Sequence, residues 1–280
     1  RALTCEVKIS PSDYPRYRIH FTGSESQDRE AIEAHMARAA YAAADSLRID
    51  ISAQPFSIDS NANFPISRGF GSSAAFAVAL ARAFNTYRKS LIHEDAEWQE
   101  LLKATLAVEK IFHGKPSGLD TSVILADRPI LFEGGMIQKE ITNRAVDFVV
   151  VDSGSRDQCS SMVAEVAEIR RLKPGYWAEL SGTMRQLVAH CEASLLSGDA
   201  MGVAEVVRQA HAVLSELNLS NPTIDGIIQD SKNFGAIARK VSGAGGGGAV
   251  LLIAKRGDGA TLADALQSTG RVVVAVEKSV

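Results

Sequence analysis

Pro65-Ile66-Ser67-Arg68-Gly69-Phe70-Gly71-Ser72-Ser73-Ala74-Ala75 sets two glycines and two serines immediately before an apolar segment. In that segment Phe76, Leu80 and Phe84 recur at helical spacing from Ala74 to about Arg88. A helix that starts this way leaves its first main-chain N–H groups unpaired and partly positive, which suits a phosphate. The glycines permit close backbone approach, and a serine hydroxyl can ligate Mg²⁺ or cap the helix. The spacing is not GxxxxGK[ST], and the βαβ unit with a downstream acid that a dinucleotide fingerprint needs is missing. Taken alone, the stretch reads equally as a plain N-cap preceded by a turn.

Two further stretches carry chemistry. In Glu109-Lys110-Ile111-Phe112-His113-Gly114-Lys115-Pro116-Ser117-Gly118-Leu119-Asp120, Glu109 falls in the last turn of a helix, where the dipole disfavours a carboxylate unless something compensates. Asp120 follows a Pro-Ser-Gly turn that fixes its direction. One carboxylate for Mg²⁺ and another beside an acceptor hydroxyl is the minimum phosphoryl transfer requires; a solvated Glu109 and a capping Asp120 are the plain alternative. The third stretch, Ser242-Gly243-Ala244-Gly245-Gly246-Gly247-Gly248, lies between two apolar strands. Five glycines in seven residues weaken a fold unless the backbone is constrained, which favours an anion nest or close ligand approach over a flexible hairpin loop.

Around these motifs the chain alternates irregularly between the two periodicities. Ala2 to Ser10 and Tyr17 to Phe21 are expected to form a hairpin, followed by a helix over 28–46 and a strand over 54–59. A helix from Trp98 to Phe112 ends at Gly114, and Thr121–Leu125 and Pro129–Phe132 read as strands. Phe148-Val149-Val150-Val151 signals a buried strand. Helices follow around 160–172, 175–197 and 199–216, and Asn221-Pro222 opens another that ends near Gly235. Strands at Ala249–Ile253 and Val272–Val276 flank a helix at Thr261–Gln267. This order predicts an α+β protein with a domain boundary near 145, giving lobes of 1–145 and 146–280.

The 280 residues are 46% hydrophobic and 22% charged, enough for an ample core. A formal net charge of −3 gives no footprint for nucleic acid or an acidic membrane, so neither is an expected partner. No apolar run reaches the roughly 18 residues of a bilayer span, and Arg1–Ser10 lack the apolar block of a signal peptide. Cys5, Cys159 and Cys191 match no metal site or disulfide framework, and a reduced, cytoplasmic setting is expected.

Together the three stretches resemble the GHMP kinase superfamily from residue 2 to the end. Pro65–Ala75 is similar to its PxxxGxGSSAA phosphate motif. HGxPSGxD, with Glu109 eleven residues before Asp120, resembles the mevalonate kinase branch more than galactokinases or homoserine kinases. Val241–Gly248 resembles the C-terminal glycine motif, and the stretch from Ala210-His211 to Gly235 resembles the helical segment before it.

The resemblance implies a two-lobed fold with the site in the cleft, an N-terminal lobe like ribosomal protein S5 domain 2 and a ferredoxin-like C-terminal lobe. It implies ATP and Mg²⁺ as cofactors and a small-molecule alcohol, mevalonate first, as acceptor. Phosphomevalonate, homoserine or a sugar as acceptor, or a non-catalytic nucleotide-binding relative, stand as alternatives. It admits a homodimer.

Residue by residue, it places Gly69, Gly71, Ser72, Ser73 and Ala74 around the phosphates, with Gly243, Gly245 and Gly246 in the loop closing over them. Ser73 and Glu109 would hold the metal and Asp120 would be the base. Ser117, Asp120, Cys159 and Ala244 would face the acceptor, with His113 mainly capping or packing.

Three departures accompany the resemblance. The family opens with a strand carrying a lysine and a GEHxVVYG segment, and residue 1 is expected to fall just past it in a longer protein. A threonine near the acceptor in these kinases aligns with Cys159, where Ser160 could substitute. Ser67-Arg68-Gly69 resembles homoserine kinase, and Asn63-Phe64-Pro65 resembles the mevalonate diphosphate decarboxylases, which lack HGxPSGxD.

Overall fold

The computed structural model describes residues 3–21, 29–51, 55–64, 70–154, 159–243 and 245–279; for 18–21, 29–33 and 159–161 it describes the backbone alone. The chain divides into two units, one built on Leu3–Ile66 and Gly71–Glu140, the other on Ile141–Val280.

In the first unit β1 (Cys5–Pro11), β2 (Arg16–Phe21) and β3 (Phe56–Ala62) form one sheet. The order is β1-β3-β2, with β3 antiparallel to β1 and parallel to β2. The expected hairpin is therefore wrong. Both strands are there, but β3 pairs between them, because it is the strand with alternate residues buried (Phe56, Ile58, Ser60, Ala62) and so takes the central place. The helix α1 (Arg29–Ser46) joins β2 to β3, as a parallel pair requires.

Behind this sheet lie α2 (Ser72–Ile92), α3 (Trp98–His113) and α4 (Leu119–Ala126). Ala39, Ala40 and Ala43 of α1 meet Ala77, Leu80, Ala81 and Phe84 of α2 and Ala104 and Val108 of α3 in one buried core. Small residues on α1 let the helices approach closely while Phe84 fills the volume between them.

The segment Thr121–Leu125, expected as a strand, is helical. Its β-branched residues favour a strand intrinsically, but Gly118 (φ 82°) turns the chain into a helix start, the Thr121 hydroxyl donates to the Gly118 carbonyl at 3.0 Å, and packing on α2 completes the choice. A two-stranded ribbon, β4 (Ile130–Glu133) with β5 (Met136–Glu140), ends the unit.

The second unit is a four-stranded antiparallel sheet, with β6 (Val146–Asp152), α5 (Cys159–Leu172), α6 (Pro174–Ser197), α7 (Ala200–Glu216) and α8 (Pro222–Lys232) preceding β7 (Ala238–Val241). After β8 (Ala249–Lys255), α9 (Gly259–Ser268) and β9 (Val272–Glu277) close it in the order β7-β8-β6-β9. Val149 and Val151 of β6 pack with Ile224 and Ile227 of α8 and Leu262 and Leu266 of α9. Val146 faces the other way, onto Val203, Ala204 and Val207 of α7. Burial on both faces explains why β6 reads as a continuous apolar run. Asn221 caps α8 as its sequence signal predicts, accepting the Ile224 N–H at 2.9 Å. No helix among the described residues is long and apolar enough to cross a membrane.

One carboxylate holds the far end of this unit. Asp147, 1% exposed, accepts from the N–H groups of Gly257 (3.0 Å) and Gly259 (3.1 Å) and from both the N–H (2.9 Å) and hydroxyl (3.1 Å) of Ser279. Burial, the largest influence, opposes its ionisation, but the bonds from Ser279, Gly259 and Gly257 together outweigh it and hold the carboxyl below its usual range. A depressed folded-state pKa stabilises the fold above the unfolded value of about 3.9 and stops doing so as pH falls through the folded value. Asp147→Ala leaves those donors without their acceptor and is expected to cost about 3 kcal/mol at neutral pH, with the deficit shrinking in acid. Urea unfolding of both proteins at pH 7 and pH 3 checks this; an equal deficit at the two pH values would remove the carboxylate's charge from the account.

Candidate active site

Three helices of the first unit converge: α2 packs against both α3 and α4, and α3 against α4. Gly71, in the left-handed region (φ 66°, ψ 29°), turns the chain into α2 and, as a glycine, supplies no side-chain cap of its own. The N–H groups of Ser72, Ser73 and Ala74 therefore open the helix with no carbonyl of their own helix to bond, in a first turn that holds no acidic residue. Ser72 and Ala74 are buried, and Ser73 is half-buried.

Ser73 is the meeting point. Its Oγ lies 2.8 Å from Nε2 of His113, the last residue of α3, and 3.4 Å from Oε1 of Glu109, one turn earlier. Glu109 is only 4% exposed. Burial, then the charge of Asp120, pushes its carboxyl above the ordinary range, and the Ser73 hydroxyl opposes them. No cation among the described residues offsets this. Asp120 is exposed, in the first turn of α4, close enough for its charge to act on Glu109. A hydroxyl from α2 and a buried carboxyl from α3 thus meet at the start of α2, within reach of the charge of Asp120 on α4.

Ser117 is exposed, and its hydroxyl accepts the Leu119 N–H at 3.2 Å, shaping the turn that aims Asp120. The assignment of His113 to capping or packing is corrected: Gly114 (φ 64°) ends the helix, its N–H donating to the Lys110 carbonyl, while the His113 ring reaches Ser73. The pair is separated by 40 residues, so no local pattern could have shown it.

In the second unit the glycine loop after β7 is tied down rather than free. Gly246 donates its N–H to the Leu219 carbonyl at 2.9 Å and accepts Nδ2 of Asn221 at 2.9 Å, and Gly248 accepts the Ser153 N–H at 2.8 Å. Gly243, Gly245 and Gly246 all have positive φ (75°, 87° and 75°), and a side chain at Gly245 would collide with Leu219. The capping side chain of Asn221 thus also clamps the loop, a second use its sequence position does not reveal. Gly69, Ala244, the side chains of Cys159 and Ser160, and the 155–158 segment with Arg156 lie outside the described residues.

The residues present suit a divalent cation. Ser73 and Glu109 offer hard oxygens, and a buried carboxyl whose ionisation is opposed by a neighbouring acid is one a cation would favour. Among the described residues no three His, Cys, Asp or Glu groups make a complete cage.

The GHMP kinases N terminal domain profile matches residues 35–127, and the GHMP kinases C terminal profile matches residues 191–272. The chain belongs to the GHMP kinase family. Mevalonate kinase of Aeropyrum pernix is 27% identical over 207 residues, 73% of this chain. The chain spans 62% of that relative's length. Mevalonate kinase from L. major, solved with R-mevalonate, superposes with a TM-score of 0.79 at 20% identity over 99% of this chain and 86% of that one. Streptococcus pneumoniae phosphomevalonate kinase, solved with phosphomevalonate and AMPPNP, gives a TM-score of 0.73 at 19% identity over 97% of this chain and 89% of that one. At those identities the two likenesses establish the fold.

Proposed function

We infer that the protein transfers the γ-phosphoryl group of ATP to an alcohol, with mevalonate as acceptor and 5-phosphomevalonate as product. The observation that carries the reading is the meeting of Ser73 and Glu109 at the start of α2, with the charge of Asp120 acting on Glu109. Phosphoryl transfer asks for in-line positioning and charge neutralisation more than covalent help, and this arrangement offers both.

The N–H groups of Ser72, Ser73 and Ala74 bind phosphate oxygens. Ser73 and Glu109 hold Mg²⁺, which when bound neutralises phosphate charge. Asp120, exposed and negatively charged, orients the acceptor hydroxyl and takes its proton. Residues 1–145 form the nucleotide-binding part. In the 146–280 part the clamped loop offers Gly243, Gly245 and Gly246 to nucleotide or acceptor oxygens, with Ser117, Cys159 and Ala244 also assigned to the acceptor.

The choice of mevalonate rests on HGxPSGxD and on the mevalonate kinase relative, since the fold is shared with a phosphomevalonate kinase. The protein is assigned to the cytoplasm, and a homodimer is compatible with this reading.

The test is ADP release by the full-length protein with mevalonate, phosphomevalonate, homoserine and a sugar in parallel. Mevalonate is expected to give the highest kcat/KM. A preference for another acceptor would move the assignment within the family, and Mg-ATP binding without turnover on any of them would overturn catalysis. Glu109→Gln is expected to lower kcat/KM by on the order of 10²–10³-fold, with part of the loss recovered at high Mg²⁺. Unchanged Mg²⁺ dependence in that variant would remove Glu109 from the metal site.

A further inference from the structure

His113 has no role in the reading above, yet it makes the shorter of the two contacts to Ser73. A hydroxyl has one proton. At 3.4 Å the Glu109 oxygen lies beyond an ordinary O–H···O bond, whereas 2.8 Å to His113 Nε2 is a normal length. A hydroxyl that ligates a cation must also turn its proton away from the ion, toward an acceptor that is not itself a ligand. Glu109 fails that condition, because it is assigned to the same ion. His113 meets it.

We propose that His113 is a positioning residue for the metal site: with the cation bound, its Nε2 accepts the Ser73 hydroxyl proton that otherwise faces Glu109, and so keeps the oxygen's lone pairs available to the cation. This rests on the assignment of Ser73 and Glu109 to Mg²⁺. It is the familiar arrangement in which an outer side chain orients a ligand, with the histidine as acceptor rather than ligand. It gives the histidine of HGxPSGxD a reason to end a helix at this point. The ring must stand one residue before the Gly114 turn to reach back across to the start of α2.

The test measures metal binding directly, through the EPR signal of free Mn²⁺ titrated into the full-length protein with AMPPNP. His113 is exposed, so truncating it opens no core cavity. His113→Ala is expected to weaken Mn²⁺ binding by roughly 10-fold, within the 10–100-fold range usual for outer-shell partners. His113→Gln, whose amide oxygen can accept the same proton, is expected to recover most of that loss. Unchanged Mn²⁺ affinity in His113→Ala overturns the proposal, and so does an equal loss in both variants, which would mark a packing role. Glu109→Ala separates the two readings: if it too leaves Mn²⁺ affinity unchanged, the metal site itself is misassigned.

Discussion

Asp120→Asn is expected to lower kcat for mevalonate phosphorylation by roughly 10²–10⁴-fold, the usual range for losing a positioned proton acceptor. Asparagine keeps the shape of the side chain, and the Thr121 and Ser117 contacts that build the turn do not involve the carboxylate. The loss should therefore fall on kcat, with KM for ATP within about threefold of the parent. A second consequence follows from electrostatics. The charge of Asp120 is one of the two influences holding the Glu109 carboxyl above its ordinary range, so removing it should let Glu109 ionise more easily. Steady-state kinetics checks the first effect, and NMR titration of a ¹³C-labelled glutamate checks the second. Turnover within a few-fold of the parent would exclude Asp120 as the base. A Glu109 titration that does not move would show that the two carboxylates do not share a volume.

Gly245→Ala should be among the most disruptive single-methyl changes in the protein. The backbone there sits at φ 87°, a conformation that costs a side-chain-bearing residue about 1–3 kcal/mol. The added Cβ would also lie 2.6 Å from Leu219 Cβ and 2.7 Å from the Leu219 carbonyl oxygen. The second contact is with backbone, so it cannot be relieved by a rotamer. The carbonyl it meets is the acceptor for Gly246, and Asn221, two residues on, holds Gly246 in turn. Moving Leu219 away therefore loosens the loop and the α8 cap together. Strain plus overpacking comes to about 3–5 kcal/mol, a large share of the 5–15 kcal/mol by which domains are stable. Gly235→Ala is the control, since it shares a positive φ (92°) but opens on empty space. Thermal unfolding should show a drop for Gly245→Ala at least twice that for Gly235→Ala. Equal drops would mean that Leu219 yields freely and the loop is not clamped.

Much of the architecture was legible in short stretches of chain. The start of α2, the end of α3 and the start of α8 are written in Gly71-Ser72, Gly114 and Asn221-Pro222, because φ restrictions and capping act within a few residues. The strand β6 was visible as a run of valines, since both faces of its sheet are covered. Three features were not legible. Thr121–Leu125 carries strand-forming side chains but is held as a helix by the Gly118 turn and by α2. The ribbon strand β5, mostly exposed, has no burial alternation to reveal it. The pairing of β1 and β2 depends on β3, more than thirty residues further along.

By itself the sequence determined the residue types at the site, their family spacing, and the glycine positions where the backbone must take positive φ. Only the tertiary structure decided that Ser73 meets Glu109 and His113 with the charge of Asp120 near them, and that the apparently loose glycine loop is fastened to Leu219 and Asn221. The physical reason is range. Torsional preferences and caps are local, whereas convergence across 36 and 40 residues is set by how α2, α3 and α4 pack on one core.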